Sequence, residues 1–325
     1  MKRLSYILAF ILVLILNFQS FGNINHYEKS LEGYWKFSIG DNKEWSEQIY
    51  NDDDWAEIKV PARWEDEGYR GYNGYAWYRK VIQIPSVFKN RNVYLELGYI
   101  DDVDEVYFNG EKIGQTGSFP PNYETAYNSF RKYLIPHDLI DMSGENTIAI
   151  RTYDAQLEGG IIRGDVQLVA GEIAVIPQIS LNGYWNFELG RTAGDSHQIM
   201  VPGEWENQGF FNYDGYAVYS KTVDIPENMA KQKLIFMAGR IDDDDQFYIN
   251  GQLIAQTGNY DGGVNLEMYT EFRNYFIPEN VVKPGENTVT IKVYDRMGEG
   301  GILEGNVGFI SQEKFIEYWK MKKKN

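Results

Sequence analysis

The chain contains no cysteine. That excludes a disulfide framework, and it excludes a lipid-bearing cysteine behind a leader segment. Histidine is almost as scarce. The three present are His26, His137 and His197, and no His or Cys pair has the spacing of a zinc site. Positive charge is in deficit, with 31 Lys and Arg against 47 Asp and Glu and a net charge of −16. Nucleic acid and anionic membrane surfaces repel such a chain and are not natural partners. The acidity reads as the surface of a soluble protein outside the cytoplasm. Long apolar runs are also missing, except between Leu4 and Phe18. That run follows Met1-Lys2-Arg3 and precedes the small residues of Ser20-Phe21-Gly22, so residues 1–22 read as a secretory signal peptide, with an uncleaved anchor as the alternative. The expected location is export: periplasmic, cell-surface or secreted. An exported protein without disulfides depends on its core, and roughly 300 remaining residues suffice for two ordinary domains.

Aromatic residues are abundant, with 25 Tyr, 17 Phe and 8 Trp. The chain is also built twice. Ile100 to Gly110 reads IDDVDEVYFNG and returns as IDDDDQFYING, Ile241 to Gly251, at a spacing of 141 residues. Most other recognisable pieces repeat at nearly the same offset, which marks two copies of one unit. The repeated stretch ends in Asn-Gly both times, Asn109-Gly110 and Asn250-Gly251, the signature of a tight hairpin turn. Before it, Val106 and Phe108 alternate with Tyr107, which predicts a strand with one apolar face. Asp102 and Asp104 share the parity of Val106 and Phe108. A regular strand therefore places two carboxylates at the rim of the inward face, where each needs a cation, a donor or a metal.

Unit one opens at Leu31-Glu32-Gly33-Tyr34-Trp35 and unit two at Leu181-Asn182-Gly183-Tyr184-Trp185. The segment around Asp52-Asp53-Asp54-Trp55 has no counterpart in unit two, which suggests a loop, where length changes are tolerated. Many short alternating stretches separated by turn signals, with no strong helical period inside either unit, predict an all-β fold. The expected layout is a signal peptide at 1–22, a β-sandwich unit at 23–172, a linker at 173–180, a second unit at 181–310, and a short helix with a basic tail at 311–325.

Val60-Pro61, Trp64, Tyr78-Arg79-Lys80, Ile84-Pro85, the Asp-Glu-Val-Tyr-Phe-Asn-Gly stretch, Gly114 to Gly117, Ile135-Pro136 and Glu145-Asn146 resemble the sugar-binding jelly-roll domain of glycoside hydrolase family two, the β-galactosidases and β-glucuronidases. That domain is a galactose-binding-like β-sandwich, so the resemblance implies two tandem jelly rolls. It fits stand-alone sandwich modules of sensor proteins as well. In the family the catalytic glutamates come from a separate (β/α)₈ barrel of roughly 250 residues. Two sandwiches leave no room for one in this length, so those glutamates have nothing to map onto. The resemblance therefore implies a non-catalytic carbohydrate-binding protein, alone or beside a separate glycoside hydrolase or a cell-surface protein. The alternatives are a protein-interaction scaffold and a hydrolase component lacking its barrel.

Three readings compete for the Asp clusters. Asp102 or Asp104 pairs with Arg131, and Asp243 or Asp245 with Arg273, pinning a long loop to the sheet. Asp101, Asp102, Asp104, Asp242, Asp243 and Asp245 supply oxygens to a structural calcium, the one cofactor under consideration. Or the carboxylates accept bonds from sugar hydroxyls. The aromatic loops carry two readings. Trp64, Glu65, Tyr69, Arg70, Tyr72 and Tyr75 with Arg131, and Trp205, Glu206, Tyr213 and Tyr216 with Arg273, form sugar platforms, or the rings pack the end of the sandwich.

Overall fold

A computed structural model describes residues 26–191, 195–260 and 268–323. The expected signal peptide lies outside these residues. Unit one contains β1 (Tyr27–Ser30), β2 (Gly33–Ile39), β3 (Ala56–Val60), β4 (Gly74–Ile82), β5 (Arg91–Asp101), β6 (Val103–Phe108), β7 (Glu111–Thr116), β8 (Phe130–Ile135), β9 (Asn146–Asp154) and β10 (Gly160–Ile173). Its two sheets run β3-β2-β4-β9-β6-β7 and β1-β10-β5-β8. Unit two contains β11 (Ile179–Ser180), β12 (Gly183–Leu189), β13 (Ser196–Val201), β14 (Gly203–Glu204), β15 (Gly215–Ile225), β16 (Leu234–Asp242), β17 (Asp244–Ile249), β18 (Gln252–Thr257), β19 (Phe272–Phe276), β20 (Gly285–Asp295) and β21 (Gly301–Ser311). Its sheets run β13-β12-β15-β20-β17-β18 and β11-β21-β16-β19, the same strand order. The all-β sandwich expected from the turn spacing is what the chain forms. The linker is shorter than the sequence suggests, because Ile173 still belongs to β10 and Ile179–Ser180 pair with β21.

Local chemistry explains why the copies fold alike. Asn109 and Gly110 adopt φ of 51° and 90°, and Asn250 and Gly251 adopt 51° and 78°. Both residues of the turn are left-handed, as a two-residue hairpin requires. Trp35 Nε1 donates to the Leu31 carbonyl at 2.9 Å and Trp185 Nε1 to the Leu181 carbonyl at 2.8 Å. Each indole buries its ring in the core and satisfies its polar edge on the preceding turn. The two cores are separate, one around Trp35, Phe37, Trp64 and Tyr78, the other around Trp185, Phe187, Trp205 and Tyr219.

The segment missing from unit two is a cover and not a passive loop. In unit one, Trp45 meets Trp55 at 5.0 Å and Trp77 at 6.2 Å on the outer face of the larger sheet, and Trp77 stacks on Tyr107 at 5.7 Å. Arg79 donates to Asp52 at 2.7 Å and to backbone carbonyls of the same segment. The corresponding cross-strand pair in unit two is Val218 with Lys292, where unit one has Trp77 with Arg151. That sheet face is flanked by Gln246, Gln256 and Tyr248 and suits water. Trp45→Ala is expected to cost about 2–3 kcal/mol, somewhat less than a fully buried Trp, and to leave unit two unchanged. Urea midpoints of the variant, with Trp fluorescence as the probe, check it.

The units touch. Asn306 Nδ2 donates to Asn92 Oδ1 at 2.8 Å and to the Val175 carbonyl at 3.0 Å. A helix, Gln312–Lys322, follows β21 and sends the Tyr318 hydroxyl to the Ile173 carbonyl at 2.7 Å. No helix among the described residues is long and apolar enough to cross a membrane.

Candidate functional site

The Asp-rich stretch lies where the chain passes from one sheet to the other. β5 ends at Asp101 in the smaller sheet, and β6 starts at Val103 in the larger one. The strand is therefore not regular back to Asp102, and the two carboxylates separate. Asp104 faces the core with Val106 and Phe108 and is fully buried, as is Arg131 of β8. Arg131 Nε meets Asp104 Oδ1 at 2.7 Å, and the Tyr133 hydroxyl donates to Asp104 Oδ2 at 2.5 Å. Burial pushes the Asp104 carboxyl up, and the facing Arg131 opposes that shift. The remaining guanidinium donors reach the carbonyls of Ala126, Ser129 and Asp102. Unit two repeats this with Arg273 Nε on Asp245 Oδ1 at 2.9 Å, the Tyr275 hydroxyl on Asp245 Oδ2, and Arg273 on the Asp243 carbonyl. The pinning reading of the Asp–Arg pairs thus holds, with Asp104 and Asp245 as the partners.

Asp101 and Asp102 instead gather with Asp154, the last residue of β9, with ligand oxygens within 4.8 Å of one another, and Asp242 and Asp243 gather likewise with Asp295. Asp154 and Asp295 escaped the sequence reading, although Tyr153-Asp154 and Tyr294-Asp295 recur at the repeat offset. Burial first, then the neighbouring carboxylates, push Asp154 up to about 6 and Asp295 up to about 7. Asp101 and Asp242 are raised for the same reasons. Asp102 is also buried, but hydrogen bonds from Thr125, Tyr123 and the Ala155 N–H hold it low. An all-oxygen cluster has the donor chemistry of a hard cation such as calcium, and Asp295 Oδ2 is buried without a hydrogen-bond partner. The expected ligand set needs correction, however: Asp104 and Asp245 are engaged by arginine, and in unit two Asp243 also lies 3.3 Å from Arg296 Nη1, so unit one keeps three carboxylates clear of an arginine and unit two keeps two.

Tyrosines flank each triad. Tyr75 and Tyr153 are cross-strand partners on β4 and β9, with ring centroids 4.8 Å apart. Phe119 lies parallel to Tyr75 at 6.0 Å, Tyr123 meets Tyr153 at 5.6 Å, and the Arg151 guanidinium covers Tyr75 and Phe119 at 4.6 and 4.3 Å. In unit two Tyr216 stacks on Tyr294 at 4.3 Å and meets Tyr260 at 5.2 Å, with Arg191 over Tyr216. Tyr75, Tyr123, Tyr153 and Tyr216 are half-buried.

Several residues expected in sugar platforms sit elsewhere. Trp64 and Trp205 are fully buried, Arg131 is fully buried and Arg273 is 2% exposed. None of the four presents a face to a ligand. The reason for the tryptophans is the glycine pair that follows each triad. A Cβ on Gly159 would lie 2.3 Å from the Trp64 ring, and one on Gly300 would lie 2.1 Å from Trp205. The Gly-Gly-Ile loops close over the indoles as only glycine permits. Tyr69 packs edge-on against Phe37 at 4.8 Å, and Tyr72 and Tyr213 donate to the carbonyls of Tyr75 and Tyr216. Glu65 and Glu206 accept from the Gly159 and Gly300 N–H groups. Arg70 is exposed. Of the predicted platform, Tyr75 and Tyr216 are the rings that remain beside the triads.

No family model matches the chain. Over 130 residues it is 28% identical to a β-glucuronidase of Formosa agariphila, which covers 36% of this chain and 12% of that protein. Over 157 residues it is 26% identical to a β-galactosidase of Priestia megaterium, covering 39% and 14%. The chain thus spans about an eighth of the length of the curated relatives it matches. Among solved structures it matches a Bacteroides uniformis β-glucuronidase at 17% identity and a TM-score of 0.39, covering 83% of this chain and 28% of that one. A Lactobacillus rhamnosus β-glucuronidase matches at 15% identity and a TM-score of 0.37, covering 90% and 45%. The chain resembles, in two tandem copies, the jelly-roll β-sandwich of glycoside hydrolase family two enzymes.

Proposed function

We propose that this protein binds carbohydrate without cleaving it, outside the cytoplasm, through the loop end of its sandwiches. The observation that carries the reading is that Tyr123, which meets Tyr153 at 5.6 Å and hydrogen-bonds Asp102, joins the Tyr75–Phe119–Tyr153 rings to the Asp101–Asp102–Asp154 carboxyls, as Arg296 joins Tyr294 to Asp243 in unit two. A sugar offers flat C–H faces and hydroxyl edges; the half-buried rings suit the one, and Asp101, the least buried member of the triad, supplies an acceptor for the other. The named activities of the relatives, β-glucuronidase and β-galactosidase, point to the same ligand class. Glycosidase carboxyls flank the scissile bond from opposite sides. The triad carboxyls crowd one wall and share charge among themselves, so binding fits them better than hydrolysis.

A shallow site of this kind binds in the micromolar to millimolar range. Calorimetry of the full chain against a glycan panel tests it, and Tyr75→Ala is expected to weaken binding about tenfold, the loss of one stacked ring. The interaction-protein reading rests on a different face, where Phe276, Ile173, Trp319 and Met321 are 58%, 52%, 42% and 55% exposed around the Gln312–Lys322 helix. Absence of glycan binding together with capture of a protein partner through that face replaces the carbohydrate reading.

A further inference from the structure

The two units enclose a cleft of about 260 Å³ between them. Its floor on the unit-one side is β7 and β8. Its other wall comes from the segment around β14 and from Arg240, Leu303 and Glu304. No member of the acid triads or of the tyrosine groups lines it. The volume falls below the roughly 300 Å³ at which pockets for drug-sized ligands begin, so the occupant is about one ring in size.

The lining has a definite chemistry. Phe130 presents a ring that is 45% exposed. Lys132 Nζ lies 3.3 Å from Glu96, and Arg240 Nε lies 2.9 Å from Glu304 Oε1. Both cations are thus already countered by carboxylates of the protein. Glu204 accepts from Asn207, and burial followed by the nearby Glu299 pushes its carboxyl up to about 7. An ammonium has three donors and a carboxylate about four acceptor positions, so these pairs keep capacity for hydroxyls. An anionic ligand finds no uncountered cation and meets Glu204 and Glu304 at close range.

From the apolar ring, the compensated charges and the size, we propose that this inter-unit cleft is a separate binding site for a neutral, hydroxyl-rich ring, a single uncharged pyranose, stacked on Phe130 and hydrogen-bonded by Glu204, Lys132 and Glu304. The inference goes beyond the loop-end reading and does not use its residues. Because the site draws on both units, its occupation also fixes their relative placement.

The test is calorimetry on the full chain with methyl β-glucoside, methyl β-galactoside and glucuronate, backed by thermal melts of every variant. Phe130→Ala and Glu204→Leu are expected to weaken binding of at least one neutral glycoside by about tenfold, the loss of a stacking face or of a hydrogen-bonding edge. Glu204→Gln keeps a donor and an acceptor and is expected to hold affinity within about twofold. Glucuronate is expected to bind at least about tenfold more weakly than the neutral glycosides. Binding that survives Phe130→Ala and Glu204→Leu but is lost in Tyr75→Ala overturns the cleft site and leaves the loop-end reading standing. Glucuronate binding as tight as that of the neutral sugars overturns the cleft assignment, and no binding of any glycan overturns both.

Discussion

Arg131→Ala is expected to destabilise unit one by about 3–5 kcal/mol, and Arg273→Ala to do the same to unit two. The cost is not the value of the pair itself, since a buried pair roughly balances its desolvation against its attraction. It is the cost of what remains. Asp104 stays fully buried with no countercharge, the Ser129 carbonyl loses the side-chain donor that Arg131 gave it, and the carbonyls of Ala126 and Asp102 each fall back on one backbone N–H. The stranded Asp104 escapes only by taking a proton, so its folded pKa, already raised by burial, rises further. Stability linked to a raised carboxyl is present below its unfolded pKa and lost as pH rises through the folded one. The penalty in Arg131→Ala should therefore be smaller near about pH 5 than near about pH 8. Arg63→Ala is the control. Arg63 pairs with Asp66 and Glu158 at the surface, and its removal should leave the midpoint unmoved. Thermal melts of the three variants decide. An unchanged midpoint in both Arg131→Ala and Arg273→Ala would show that the guanidiniums do not hold the loops to the sheets.

How much of this was legible before the structure depends on the kind of signal. The repeat and its turns were, because Asn109-Gly110 and Asn250-Gly251 encode a backbone geometry that few other residues tolerate. The Arg131 pin was also legible in outline, since a carboxylate at an inward position demands a cation and the same Arg recurs in the second copy. Which Asp it takes was not. That depends on where β5 hands over to β6, and the break at Asp102 turns its carboxyl away from the core and toward Asp154. The aromatic platform was misplaced for a similar reason. An indole is equally suited to stacking on a sugar and to filling a core, and the choice is made by a distant loop, Gly159-Gly160, that closes on Trp64. The covering segment near Trp55 looked like a tolerated insertion because length alone was compared. Of its partners on the sheet, Trp77 gives way to Val218 in unit two while Tyr107 keeps its counterpart in Tyr248, and the loss of that Trp together with the segment was the readable clue.

The acid triads should make the protein more stable in mild acid than in mild base. Asp154 rises to about 6 and Asp295 to about 7, with Asp101 and Asp242 raised beside them, chiefly through burial and then through neighbouring carboxylates. All four folded pKa values exceed the unfolded value near 4. The stability they contribute is therefore complete below about pH 4 and is lost as pH climbs through about 6 to 7. Glu105 works in the opposite sense. Burial opposes its ionisation, but Lys112 and Lys43 hold it at about 2, so its contribution is present above its ordinary pKa and is lost as pH falls toward 2. The two trends cross between about pH 3 and about pH 4.5, and from about pH 5 to about pH 8 the triads lose on the order of 5 kcal/mol once the part-exposed Asp101 and Asp242 are discounted for solvent screening. Asp101→Asn and Asp242→Asn should flatten the alkaline side, because an amide removes the repulsion that the protons otherwise quench. A rise in the midpoint at about pH 8 on adding calcium, reversed by a chelator and absent from the Asn variants, would assign the triads to a cation, since an ion that binds only the folded form stabilises by mass action. A midpoint indifferent to calcium but rising steadily from about pH 8 to about pH 5 is the expected result, and a midpoint flat across that range would show that the carboxyls are better solvated than their burial implies.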